Sequence, residues 1–145
     1  MKVVVSACLL GHNCKYNGKN NRNETLLAFL QDKKVIPVCP EAVLPRPRRP
    51  VEWLQGRAVT DDGVDVTAEF TRGAAIALQS VVKNQPDLVI LQARSPSCGV
   101  NYIYDGTFTK HLIQGQGDFA ELVLAKGYRV SATQLDKEFF ILEKK

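Results

Sequence analysis

Three cysteines of this chain each follow an apolar, strand-like run. Cys8 and Cys39 come directly after two such runs, and Cys98 follows the third run across a short loop. The runs are Val3–Ala7, Val35–Val38 and Leu88–Leu91. If they lie side by side in a parallel sheet, the three thiols meet at the carboxyl edge, where such sheets bind ligands. Three thiolates are too few for a closed structural zinc site, but they could hold a metal or a cluster with one position open.

The surroundings of these cysteines favour ligands over core residues. A buried cysteine is most often a small apolar side chain of the core. Cys8, Cys39 and Cys98 instead lie just past a strand, beside turn-forming residues, whereas a core cysteine would fall inside the strand. None belongs to a C-x-x-C pair, so the sequence excludes a thioredoxin-type site and a zinc ribbon.

Cys14 is different, because it lies in a polar loop between Asn13 and Lys15. It could be a fourth ligand, an exposed thiol or a cysteine packed under the loop. A fourth thiolate would close the site, and would indicate electron transfer or a structural role instead of substrate binding.

Composition narrows the class of protein. The 145 residues predict one domain over 1–145, and a hydrophobic content of 45% is enough for a core. No apolar run approaches the ~20 residues of a membrane span. The start resembles a strand and not a signal peptide, so we expect a cytoplasmic protein whose four cysteines form no disulfide framework. The net charge of +4 and a pI near 8.9 are compatible with a phosphate-bearing ligand.

Strands alternate with helices along the chain, which predicts an α/β fold: a single-domain, Rossmann-like parallel sheet flanked by helices. The predicted strands are Val3–Ser6, Lys34–Val38, Leu88–Leu91 and Tyr128–Val130. The predicted helices are Glu24–Gln31 with Asn23 as N-cap, a long helix capped by Asp65 and closed by Pro86, Phe119–Lys126, and a final helix from Thr133 that carries Leu135, Phe139 and Leu142.

Four segments carry turn-forming residues instead of a regular pattern. Gly11–Asn23 is predicted to be a long loop at the active edge. Pro40–Pro50 holds four of the seven prolines, which excludes a regular helix or a central strand. Val51–Asp65 is either a small hairpin or an irregular excursion, and Asn101–Phe108 is rich in turn residues.

Several linked motifs resemble the thiouracil desulfidase family, and the resemblance covers nearly the whole chain. The matching segments are Ser6-Ala7-Cys8-Leu9-Leu10-Gly11, Pro37-Val38-Cys39-Pro40-Glu41, Asp65-Val66-Thr67, Ser95-Pro96-Ser97-Cys98-Gly99, Ile103-Tyr104-Asp105-Gly106-Thr107-Phe108 and the Gly115-x-Gly117 step.

The resemblance implies a four-iron, four-sulfur (4Fe-4S) cluster whose fourth iron has no protein ligand and takes the sulfur of a thiolated pyrimidine. The ligands that it implies are Cys8, Cys39 and Cys98. The family's catalytic acidic residue corresponds to Glu41, and its catalytic serine corresponds to Ser95. Cys14 is common among relatives but is not an implied ligand.

Two departures from the family pattern concern substrate identity. The segment 45–50 is shorter and more basic than usual, although Arg48 and Glu52 still align with the family's Arg and Glu. Gln92 stands where a lysine is frequent after the third strand. The implied cluster ligands are unaffected.

Hydrolysis of a thiocarbonyl requires a sulfur acceptor, an activated water and a proton source. An open iron would polarise the C=S bond as a Lewis acid and keep the released sulfide, without net redox change. Glu41, two residues from Cys39, could activate the water or shuttle a proton, or it could cap a loop N–H. Ser95 could hydrogen-bond the substrate or relay a proton, or it could satisfy its own turn.

Other residues are weaker candidates for substrate binding: Ser6, Arg48, Ser97 and Tyr104. A structural role is favoured for the two serines, and Tyr104 could stack on a pyrimidine or pack in the fold. A basic rim would favour nucleotides or RNA over a free base, although solvated surface charge is more common. Its candidate members are Lys15, Lys19, Arg22, Arg46, Arg48 and Arg49. His12 and His111 are isolated, and a solvated histidine is favoured for His12.

The sequence thus predicts a cluster-dependent desulfidase that acts on a small thiolated pyrimidine or nucleotide, with thiolated RNA as a possible substrate. One alternative keeps the cluster and reverses the sulfur flow, as a sulfurtransferase that inserts sulfur into tRNA. Another is a non-catalytic metal or cluster protein that Cys14 closes as a fourth ligand. A requirement for a sulfur donor separates the first two, and the oligomeric state stays open.

Overall fold

The computed structural model describes residues 1–42, 44, 48–133 and 139–142. The strands are β1 (Lys2–Ser6), β2 (Lys34–Val38), β3 (Val51–Leu54), β4 (Arg57–Thr60), β5 (Leu88–Gln92), β6 (Tyr102–Tyr104), β7 (Leu112–Gln114), β8 (Val130–Thr133) and β9 (Phe139–Leu142). The helices are α1 (Glu24–Leu30), α2 (Thr67–Asn84) and α3 (Asp118–Ala125), with a 3₁₀ turn at Ala7–Leu10.

The main sheet has the strand order β2-β1-β5-β8-β9. The first four strands are parallel, and β9 pairs antiparallel with β8. Val3, Val4 and Val5 in central β1 are all 0% exposed, as expected for a strand that is covered on both faces. The predicted α/β class with a parallel sheet is confirmed.

Helices cover both faces of this sheet because successive side chains of a strand point to opposite faces. On one face, α1 contributes Leu26 and Leu30 to the layer that holds Val3 and Val5. On the other face, α2 and α3 pack on Val4 and Val89 through Ala74, Ala77, Val81, Phe119, Ala120 and Val123. None of the helices in the described part of the chain is long and apolar enough to cross a membrane.

The start of α1 follows the predicted capping signal, whereas α2 begins one residue later than the predicted cap Asp65 implies. Asn23 is the N-cap of α1, and its side chain accepts a hydrogen bond from Leu26 N at 2.9 Å. Before α2, the Asp65 carboxylate accepts from Thr67 N at 2.9 Å, although Val66 is the N-cap residue itself. The chain leaves α2 through Gln85 at a φ of 44°, directly before Pro86.

The predicted final helix is wrong where the structure describes it. Phe139–Leu142 is the edge strand β9, and Thr133 is the last residue of β8. Leu135 and the rest of 134–138 lie outside the described residues. The aromatic and β-branched run Phe-Phe-Ile-Leu suits a strand, and it pairs with the otherwise open edge of β8.

Two small hairpins stand beside the main sheet. The β3–β4 pair confirms the hairpin alternative for Val51–Asp65. The β6–β7 pair was not predicted, because β6 is only 3 residues long and lies within a turn-rich segment. The β3–β4 hairpin lies against the loop that follows β5, because Trp53 Nε1 donates to Pro96 O at 2.7 Å. Strand β6 of the second hairpin packs against β3.

Candidate active site

A cavity of about 540 Å³ lies at the carboxyl ends of β1, β2 and β5. Cys8, Cys39 and Cys98 all line it, and so does Cys14. All four cysteines are free thiols. The fold therefore brings these three thiols to one edge of the sheet, as predicted.

The parallel register brings the cysteines to the same level of the sheet. Ser6 at the end of β1 pairs with Val38 at the end of β2, so Cys8 and Cys39 follow from neighbouring positions. Cys8 lies in the 3₁₀ turn that continues β1, and Asn21 Nδ2 donates to its sulfur at 3.9 Å. Cys8 and Cys39 thus follow directly from the ends of two paired strands, whereas Cys98 follows β5 across a loop.

The loop that carries Cys98 is shaped by Ser95. The Ser95 hydroxyl accepts hydrogen bonds from Ser97 N at 3.2 Å and Cys98 N at 3.1 Å, and its carbonyl accepts from Gly99 N at 2.8 Å. Gly117 packs directly on the backbone of Ser97, where a Cβ would clash. Ser95 also lines the cavity, so its turn role and a catalytic role are compatible.

Ser6 connects the loop of Cys98 with the sheet. Its hydroxyl accepts from Gln92 N at 3.0 Å and hydrogen-bonds to the Cys98 sulfur. Burial raises the pKa of the Cys98 thiol, and the hydrogen bond from Ser6 acts in the opposite direction. Binding to a metal would drive off this proton, because the thiolate is the ligand.

Cys14 lies next to Cys39 within the cavity. A hydrogen bond between the two thiols raises the pKa of Cys39, and burial raises it further. The sequence left the position of Cys14 open, and the fold places its thiol among the other three.

Three free thiols that line one cavity have the donor chemistry that an iron–sulfur cluster takes. Within the described residues, no three or more His, Cys, Asp or Glu side chains are grouped closely enough to hold one ion. A four-iron cluster binds each thiolate through a different iron, so its ligands are spread around a cavity. Soft thiolates on three separate connections, all lining one cavity, meet that requirement.

Glu41 lines the same cavity and forms an ion pair with Arg48. The two side chains are only 15% and 11% exposed, so the pair is largely removed from water. The Arg48 guanidinium also lies over the Phe70 ring, with 5.7 Å from Cζ to the ring centroid. The site thus contains a carboxylate in a fixed place beside the cysteines.

The weaker candidates for substrate binding separate into two groups. Ser6, Arg48 and Tyr104 line the cavity. Ser97 does not line it, and this residue is 0% exposed. The Ser97 hydroxyl has no hydrogen-bond partner among the described atoms.

The predicted basic rim is only partly at the cavity. Lys15 and Arg48 line it, whereas Lys19, Arg22 and Arg49 are not lining residues and Arg46 lies outside the described residues. Arg94 and Lys110 also line the cavity, and sequence reasoning missed both. Arg94 lies three residues beyond the predicted strand Leu88–Leu91, in the loop before Cys98, a signal that could have identified it.

The Glu52 carboxylate on β3 positions the turn between β6 and β7, which contributes Phe108 to the cavity lining. Glu52 Oε1 accepts hydrogen bonds from Gly106 N and Phe108 N, each at 3.1 Å. These bonds fix the turn between β6 and β7 against the β3–β4 hairpin. No local sequence pattern joins positions 52 and 106, so this contact could not be predicted.

Asp118 lies behind the Cys98 loop at the start of α3. Burial raises the pKa of Asp118 to about 7, and the nearby Glu41 charge contributes. Its Oδ1 accepts from Phe119 N at 2.8 Å, while its buried Oδ2 has no hydrogen-bond partner among the described residues. Unlike Glu41, the half-buried Asp118 does not line the cavity.

Fold and site together define a class: an α/β protein whose parallel sheet gathers three cysteines, a carboxylate and a serine at one cavity. The chain belongs to the 2-thiouracil desulfurase family, whose sequence model matches residues 3–134. The resemblance inferred from its motifs is therefore confirmed.

Two similar proteins bear on this assignment. The chain is 37% identical over 140 residues to YbbK of Bacillus subtilis (strain 168), described as an uncharacterized protein, covering 88% of this chain and 93% of YbbK. Its structure resembles that of the 4Fe-4S-dependent thiouracil desulfidase TudS, with a TM-score of 0.80 and 36% identity. That match covers 90% of this chain and 89% of TudS.

Proposed function

We propose that this protein is an iron–sulfur-dependent desulfidase that removes the sulfur of a thiolated pyrimidine by hydrolysis. The observation that carries the proposal is one cavity lined by three free cysteines together with Glu41 and Ser95. Family membership and the structural likeness to a thiouracil desulfidase support the same reaction class. The overall reaction replaces C=S by C=O, consumes one water and releases sulfide, so no electron donor or acceptor is needed.

Cys8, Cys39 and Cys98 are the proposed ligands of a 4Fe-4S cluster. When bound, the cluster would supply an iron without a protein ligand, which would serve as a Lewis acid and as the sulfur acceptor. Ser6 and Asn21 hold two of the ligand sulfurs through hydrogen bonds. Such contacts orient the ligands before the cluster is loaded.

Glu41 is the proposed base for the attacking water. Its carboxylate lines the same cavity as the proposed ligand Cys39, which places a general base beside the proposed cluster site. The carboxylate would accept a proton as the water attacks, and return it as the sulfur leaves.

Ser95 is the proposed hydrogen-bond donor to the substrate. Its oxygen already accepts from two backbone N–H groups, so its own O–H is left to donate. A donor of this kind stabilises charge that develops on the pyrimidine during attack.

The cavity suits a base or a nucleotide. Its volume of about 540 Å³ falls within the ~300–1,000 Å³ of small-molecule sites. Tyr104 and Phe108 offer aromatic faces to a pyrimidine, and Lys15, Arg94 and Lys110 offer cations to a phosphate. 2-Thiouracil, a thiouridine nucleotide and a thiolated nucleoside of RNA are the substrates to compare.

A second candidate function is a non-catalytic cluster protein. The observation that favours it is the Cys14 thiol, which hydrogen-bonds to Cys39 inside the same cavity. If Cys14 bound the fourth iron, no position would be left for a substrate sulfur.

The test is anaerobic purification followed by iron and sulfide analysis, and then a sulfide-release assay on the three substrates. We expect about four irons per chain, as for a single 4Fe-4S cluster, and sulfide release without an added reductant. Cys98→Ala should lose the iron, whereas Glu41→Gln should keep it and lower kcat about 100-fold. A colourless protein that binds only zinc after anaerobic reconstitution would refute the proposal.

A further inference from the structure

Arg48 joins three segments around the cavity. Its backbone N–H donates to Tyr16 O at 2.6 Å, which ties it to the loop that carries Cys14. Its guanidinium pairs with Glu41 through Nη2 and lies over the ring of Phe70 in α2. Arg48 is therefore held in place both at its backbone and at its guanidinium.

The pair between Arg48 and Glu41 differs from the other arginine ion pairs of the described chain in its burial. Its side chains are 11% and 15% exposed, whereas the arginines of the exposed pairs Arg49–Asp61 and Arg57–Asp65 are 58% and 61% exposed. Exposed pairs restrict a side chain little. Removing one partner of a buried pair leaves an uncompensated charge, so a buried pair is held together strongly.

Two of the five N–H groups of the guanidinium donate to acceptors in the protein. Nη2 donates to Glu41, and Nη1 donates to Arg49 O at 3.3 Å. Nε is buried from solvent and has no hydrogen-bond partner among the described residues. The contacts that Arg48 makes with the protein thus hold its guanidinium at the Glu41 carboxylate.

We propose that Arg48 is a positioning residue that acts through Glu41, and not a substrate-binding residue. It holds the Glu41 carboxylate at one place beside Cys39 and keeps it from turning to solvent. This inference rests on the proposed function, in which Glu41 accepts a proton from the attacking water. A base must be held in place to be effective, because a displacement of about 1 Å can lower a rate ~100-fold.

The kinetic test compares Arg48→Gln, Arg48→Lys, Glu41→Gln and the double variant Glu41→Gln/Arg48→Gln. We expect Arg48→Gln to lower kcat by about 10- to 100-fold with KM nearly unchanged. Arg48→Lys should recover part of kcat, since an ammonium can still pair with the carboxylate. The double variant should be no slower than Glu41→Gln, because residues that act as a unit are not additive.

The second readout is the unfolding temperature of the cluster-free chains. Arg48→Gln should lower it by roughly 6 °C or more, since it removes the ion-pair partner of a largely buried carboxylate. Adding Glu41→Gln should restore part of this loss by removing that charge. Arg57→Gln is the control, since it breaks an exposed arginine pair away from the cavity and should change neither readout appreciably.

Two results would overturn the inference. One is a raised KM with unchanged kcat in Arg48→Gln, which would indicate direct substrate binding. The other is additivity of the two substitutions in both kcat and unfolding temperature. If the unmodified protein releases no sulfide, the proposed function fails, and the unfolding cycle then decides by itself whether Arg48 holds Glu41.

Discussion

The Cys14 thiol lines the cavity and hydrogen-bonds to Cys39, yet it comes from a long loop and not from a strand end. We predict that Cys14→Ala keeps its iron and its sulfide release, because three thiolates are enough for a cluster with one open iron. The measurement is iron per chain after anaerobic reconstitution, with Cys98→Ala as the matched loss of one cavity thiol. If Cys14→Ala lost its iron while Cys98→Ala retained it, Cys14 and not Cys98 would be the third cluster ligand.

Single residues were predictable from the sequence where their place depends on a strand end. Cys8, Cys39 and Cys98 follow three apolar runs, and parallel pairing brings these ends to one edge. The contact between Cys14 and Cys39 depends on how a long loop folds back, which no periodicity encodes. Ser97 lies close to Cys98 in sequence but outside the cavity lining, and its proposed contact with substrate stays a prediction.

At the scale of elements, the β3–β4 hairpin fixes the turn between β6 and β7. Gly106 in that turn has a φ of +94°, and an added Cβ would lie 2.6 Å from Leu54 Cβ. We predict that Gly106→Ala destabilises the protein by about 2–5 kcal/mol, from the left-handed backbone and the clash together. Equilibrium unfolding in denaturant measures this change.

Gly56 gives the matched control for Gly106. It has a φ of +82°, but nothing lies within 4 Å of an added Cβ. Gly56→Ala should therefore show only the backbone cost of about 1–2 kcal/mol. Equal losses in the two variants would mean that the contact between the turn and the hairpin contributes nothing.

The long elements could be predicted because their apolar periods are regular. The helical spacing of the apolar residues predicts a buried stripe on α2, and the structure buries four of its six members and partly buries Val66 and Leu78. The four are Phe70, Ala74, Ala77 and Val81. Short elements have too few residues for such a period, so β6 and β7 were missed. The final helix was predicted from a few apolar positions, and pairing with β8 decided in favour of a strand at 139–142.

At the scale of the whole molecule, burial of Asp118 makes stability depend on pH. The pKa of Asp118 in the folded chain is about 7, above the ordinary value of 3.8. Between these two pH values the folded chain keeps a proton that the unfolded chain has lost. Stability from this group is therefore fully present below about pH 4, falls as the pH rises, and is lost above about pH 7. Within this interval, each unit of rising pH lowers the free energy of unfolding by at most ~1.4 kcal/mol through this group.

We predict that Asp118→Asn removes this dependence in the cluster-free chain. The unfolding free energy of the variant, minus that of the unmodified protein, should rise between about pH 4 and pH 7 and then level off, because the amide cannot ionise in its buried place. Glu69→Gln is the control. It removes a carboxylate from the first turn of α2, as Asp118→Asn does from the first turn of α3, but Glu69 is exposed whereas Asp118 is partly buried. A difference that stays flat across this interval, or that falls with pH, would show that the fold does not hold Asp118 in its neutral form.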